Sequence, residues 1–157
     1  MRYLTIVFLV LGINTLLNAG EERDSYMRMY VVDGTYDFVR DDLEIAITGR
    51  GIKINTVSHI GDMLARTGKD IGAKKQVFAH AEAFEFCSAT VSRATMEADP
   101  HNIVFCPYVI AVYSLPGEKN KTYISFRRPT LVGSKASKAS LQKVEKLLQS
   151  IVEEVAQ

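Results

Sequence analysis

Tyr36, Val39, Leu43, Ala46 and Ile47 recur at helical spacing, so the sequence predicts a helix with one buried face. Thr35 offers its N-cap, Asp37 sits in a first turn that favours negative charge, and Gly49-Arg50-Gly51 stops it. Before it, Met27 to Val32 is a β-rich run that ends at the turn signal Asp33-Gly34. After it, Ile52 to Val57 starts with clean alternation and predicts a strand. Ser58 to Thr67 predicts a short helix that holds Met63 and Leu64, followed by a loop through Gly68 and Gly72.

Gln76 to Phe86 predicts a third strand. Ser88 caps a helix over Ala89 to Ala98, closed by Asp99-Pro100. Ile103 to Leu115 predicts a long apolar strand, and Thr122 to Arg127 pairs back against it through a hairpin loop at Pro116 to Asn120. Val132 to Ser140 predicts a small, polar linker. Leu141, Val144, Leu147, Leu148, Ile151 and Val155 give the final helix a strong apolar stripe. That stripe suits packing on its own sheet, with a homodimer seam as the alternative. This order predicts one α+β domain: a two-layer sandwich, one mixed sheet with helices on one face.

The first twenty residues change the picture. Arg2, an apolar run from Leu4 to Leu17, then Ala19-Gly20 form the pattern of a secretory signal peptide. The run is short for a membrane span of roughly 20 residues, and Asn14 interrupts it, which disfavours an uncleaved anchor. The expected organisation is a signal peptide at 1–20, an α+β domain at 21–131, and a linker with an amphipathic helix at 132–157. The mature chain is expected in the periplasm, without stable membrane insertion. The full chain has 19 Lys+Arg against 18 Asp+Glu, and losing Arg2 makes the mature chain formally neutral. A neutral chain gains little from counterion release, so nucleic acid is not the expected partner.

Candidate chemistry centres on soft side chains. Cys87 precedes a helix N-terminus, where the dipole would favour a thiolate. The competing reading is a small apolar filler at a strand-helix junction. An exported chain with two cysteines suggests a disulfide. A strand-helix-strand unit, however, predicts parallel strands. That would place Cys87 and Cys106 at opposite ends of the sheet, roughly 20 Å apart. A bond needs Cα atoms within about 7 Å. His59 and Met63 are four apart and share a face if helical; with a cysteine they would suit copper or haem iron. His80 and His101 each read as ordinary core or surface histidines beside a general-base reading. Arg127 and Arg128 are candidate anion binders, and neighbours on a strand face opposite ways. Tyr108, Tyr113 and Tyr123 read as cross-strand aromatic packing. CxxC, HExxH and phosphate-loop spacings are absent, so no complete catalytic motif points to an enzyme.

Three motifs together resemble the exported branch of the domain of unknown function 302 family. They are Ser58-His59-Ile60-Gly61-Asp62-Met63-Leu64 with Arg66-Thr67-Gly68; Phe86-Cys87-Ser88 with Ser92-Arg93 and Met96 to Pro100; and Phe105-Cys106-Pro107-Tyr108 with Val112-Tyr113 and Arg127-Arg128-Pro129. The chain departs from the family's frequent Pro-Cys order at the third motif. The resemblance implies a compact α+β domain and a candidate homodimer, and it carries no agreed reaction. Two functions follow as expectations. One is a non-catalytic accessory domain that binds a small ligand or a protein. The other is a thiol-redox or soft-metal protein using Cys87 with His59, Met63 or Cys106.

Overall fold

The computed structural model describes residues 24–156; the expected signal peptide lies outside them. Strand β1 (Met27–Asp33) leads into helix α1 (Tyr36–Thr48), then β2 (Ile54–Ser58) and α2 (Ile60–Asp70). Strand β3 (His80–Phe86) is followed by α3 (Ala89–Ala98), a 3-10 helix (Pro100–Phe105), β4 (Tyr108–Ser114), β5 (Lys121–Arg127) and α4 (Lys135–Val155). The strands form one sheet in the order β1-β5-β4-β3-β2. This is the expected α+β sandwich.

One face of the sheet carries the core. Phe84, Phe86, Ile110, Val112, Ile124 and Phe126 are buried at alternate strand positions, as the period of two requires. Val39, Leu43, Ala46 and Ile47 of α1 meet them, together with Val144, Leu148, Ile151 and Val152 of α4. The apolar stripe of the last helix is therefore spent inside the chain. Helix α2 runs beside β3, where Gly61 allows close approach: a Cβ there would sit 2.8 Å from the Ala81 nitrogen. Among the described residues no helix is long and apolar enough to cross a membrane.

Three expectations need correction. The sheet is antiparallel throughout, not mixed. The β3-α3-β4 segment does not cross the sheet, because α3 packs on α4 and the chain then folds back. Asn102 pins the return. Its buried Nδ2 donates to the Thr95 carbonyl at 3.1 Å and to Ser137 Oγ at 3.0 Å. Second, the expected strand from Ile103 is a 3-10 helix until Phe105, and β4 starts only after Pro107, which has no N–H for a ladder. Third, the expected linker is mostly helix. Ser134 Oγ accepts from the Ser137 N–H at 3.1 Å and starts α4 early. Ser137 and Ser140 are buried there, their small size suiting contact with α3 and the 3-10 helix.

Candidate functional site

The fold-back brings the two cysteines together. Phe86 pairs with Tyr108 at the end of the β3–β4 ladder, so Cys87 leaves the sheet where Cys106 returns to it. Their Sγ atoms lie 2.6 Å apart, and both side chains are half-buried. The expected separation to opposite ends of the sheet is overturned, because it assumed parallel strands. Ser92 of α3 completes the setting: its Oγ lies 3.8 Å from Cys106 Sγ and donates to the Tyr108 hydroxyl at 3.1 Å.

The surroundings of Cys87 work against the expected low-pKa thiolate. Burial pushes the Cys87 thiol up to about 11, and the adjacent Cys106 pushes the same way. Hydrogen bonds from Ser92 and the Tyr108 backbone pull it down but are outweighed. One of the first N–H groups of α3, that of Val91, is already taken by Ser88 Oγ. Cys87 should therefore hold far less thiolate at neutral pH than an unburied cysteine. With the protein reduced, iodoacetamide should modify Cys87 slowly at pH 7, and the rate should climb with pH until about 11. Fast labelling at pH 7 would show a stabilised thiolate instead.

His59 and Met63 do not join the cysteines. His59 Nδ1 lies 2.7 Å from Glu82 Oε1. Glu82 also accepts from Arg40 Nε at 3.0 Å, and Arg40 bonds Asp41 and Glu44 as well. Burial opposes the Arg40 charge, but these carboxylates outweigh it and hold its pKa above the usual value. Glu82 and Cys87 are five residues apart along β3, about 17 Å at some 3.4 Å per residue. Met63 is exposed on α2, its sulfur 3.9 Å from Thr67 Oγ1. The expected soft-metal set is thus dispersed, and among the described residues no three His, Cys, Asp or Glu side chains are grouped to hold a metal.

The remaining candidates fall into ordinary roles. His80 stacks on Tyr36 with ring centroids 4.8 Å apart. Burial raises the Tyr36 pKa, with Glu82 adding to it. The exposed His101 gives its backbone N–H to Asp99 Oδ1 at 2.9 Å. Tyr113 and Tyr123 are cross-strand partners, stacked at 5.1 Å. Tyr108 lies on the core face instead, edge-on to Phe86.

The two arginines have different fates. Arg128 donates to Glu145 Oε1 at 2.6 Å and to the Asp24 carbonyl at 2.6 Å, while Arg28 stands 3.8 Å from the same Glu145 oxygen. Arg127 is exposed and has no ion-pair partner among the described residues.

Arg127 borders a cleft that the sequence did not announce. Strands β4 and β5 pair from Tyr113↔Tyr123 to Ile110↔Phe126 and no further. Beyond that point β4 stays with β3 through Phe86↔Tyr108, and β5 stays with β1 through Met27↔Arg127. The middle of the sheet opens at this end into a cleft of about 580 Å³. Phe105, Pro107 and Val109 line one side, Met27 and Arg127 the other, and Leu148 of α4 also reaches it. Prolines flank both strands here, Pro107 before β4 and Pro129 after β5, and neither can donate a ladder hydrogen bond. That pair of prolines was the available signal.

These features define a two-layer α+β domain with a split antiparallel sheet and a close thiol pair beside the split. The family model for a domain of unknown function, DUF302, matches residues 29–155, and the chain belongs to that family. The fold is similar to the crystal structure of an uncharacterized conserved DUF302 protein from Bacillus stearothermophilus, with a TM-score of 0.66 and 20% identity. The alignment covers 82% of this chain and 96% of that one. No curated protein matches the chain.

Proposed function

We propose that this protein is an exported, non-catalytic binding domain that takes a small amphipathic anion in the cleft between β4 and β5. The observation that carries this reading is an apolar cleft of about 580 Å³ with one uncompensated arginine at its edge. Its volume lies within the range of roughly 300–1,000 Å³ typical of small-molecule sites, which are mostly apolar with few polar groups. An apolar ligand body would bury against Phe105, Val109 and Leu148. An anionic head would reach Arg127, because Glu145 already occupies Arg128. The leader-like first twenty residues support export to the periplasm. They predict a mature chain that starts at Gly20 or Glu21 when the full chain is produced in a host with two membranes.

Decanoate is a suitable probe, followed by backbone amide shifts in magnetic resonance. Shifts should concentrate at residues 104–111 and 125–130. Arg127→Ala should weaken binding about tenfold, near 1.4 kcal/mol. Ala111→Phe should block it, since Ala111 lines the cleft. Decanol should bind less well than decanoate. No localised shifts with either compound would rule this reading out.

The thiol-redox reading keeps one observation in its favour, the 2.6 Å approach of Cys87 and Cys106. The raised Cys87 pKa argues against rapid catalytic exchange at that pair.

A further inference from the structure

The cysteines stand at the two feet of a single excursion. Eighteen residues, 88–105, lie between them, and all but Ser88 and Asp99 belong to α3 or the 3-10 helix. The excursion is held from above by Asn102 and Ser137, so its feet are positioned independently of the sulfurs. Cys106 lies between Phe105 and Pro107, and both of these line the cleft. Cys106 is therefore part of the chain segment that forms one wall of the cleft.

We propose that Cys87 and Cys106 are a redox modification site, a dithiol that converts reversibly to an intramolecular disulfide and in doing so fixes the Phe105–Pro107 wall to the end of β3. The oxidant is a disulfide of the low-molecular-weight or oxidoreductase class. One protein thiol loses its proton and attacks a sulfur of that disulfide, forming a mixed disulfide and releasing one thiolate. The second protein thiol then loses its proton, attacks the protein-side sulfur and releases the second thiolate. Two electrons pass from the protein sulfurs to the external disulfide, and the two protons end on the two released thiols. The inference does not rest on the identity of any cleft ligand.

The test uses the whole mature chain, equilibrated across ratios of oxidised to reduced glutathione, then quenched and alkylated with N-ethylmaleimide in acidic denaturant and weighed intact. At the oxidising end the monomer should carry no alkyl group and lack two hydrogens; at the reducing end it should carry two alkyl groups. Amide hydrogen exchange at residues 105–109 should be slower in the oxidised form. Cys87→Ala should accumulate a glutathione adduct at Cys106 in place of the bridge. Two alkylatable thiols persisting at the oxidising end, a bridged dimer, or equal exchange at residues 105–109 in both forms would each overturn the proposal. The primary readouts come from the unsubstituted chain, so a poorly folding variant does not blunt them.

Discussion

Phe84→Ala should destabilise the domain by about 3–5 kcal/mol, the cost of truncating a fully buried phenylalanine. Phe84 has no exposed surface and occupies the middle of β3, between Val57 on β2 and Ile110 on β4. The Arg40 guanidinium lies 5.1 Å from the centre of its ring, which adds a cation–π contact to the packing. The lost side chain would leave a cavity beneath α1, because the neighbours are held in register by two ladders and collapse only in part. A domain of this size is typically stable by about 5–15 kcal/mol, so the variant would approach the threshold for folding. Urea denaturation checks it, with Phe38→Ala as the control. Phe38 is 68% exposed and its truncation should change stability by less than about 0.5 kcal/mol. A loss below 1 kcal/mol for Phe84→Ala, on the scale set by such core truncations, would contradict the core described here.

Cys106→Ser should cost about 3 kcal/mol when compared with the oxidised parent, and almost nothing when compared with the reduced parent. The first figure follows from closing a loop with cysteines 19 positions apart, which removes that much unfolded-state entropy. The second follows because a serine retains the small volume and can keep a partner in Ser92. The contrast separates a cross-link from a packing effect. If reductant leaves the stability of the parent unchanged, the pair is not bonded in the oxidised preparation.

Much of the fold is legible wherever a local signal coincides with its structural cause. Ser88 and Asp99-Pro100 bracket α3 at the residues found, and the spacing of Val39, Leu43, Ala46 and Ile47 identifies the buried face of α1. The Tyr113–Tyr123 pair follows from hairpin register. The failures share one source, which is long-range packing. Ile103, Val104 and Phe105 read as strand because they are apolar, yet Val104 is 78% exposed on a 3-10 helix. Ser137 and Ser140 read as linker because they are polar, yet they are buried where helices come close. Asn102, a single buried amide, ties the return after α3 to both α3 and α4. No periodicity reports that tie. The sequence therefore separates Cys87 from Cys106 by the whole length of a strand, whereas the antiparallel return brings them together.

The site was less legible than the fold. Single residues could be named, such as Arg127 and Cys106, but their grouping depends on where β4 and β5 part company. Pro107 and Pro129 mark that point in the sequence, though only their position beside the ends of adjacent interior strands makes them meaningful. Arg127 and Arg128 look equivalent in the sequence. Glu145, reached only through the packing of α4, distinguishes them.

The claim that the split sheet is a ligand site is tested most directly by native mass spectrometry of the protein, purified without detergent or organic solvent, beside its Arg127→Ala and Ala111→Phe variants. The account predicts a non-covalent small anion on the parent, depleted in both variants while their folded charge-state distributions stay unchanged. A parent with no such adduct, or an adduct carried equally by all three proteins, would contradict it.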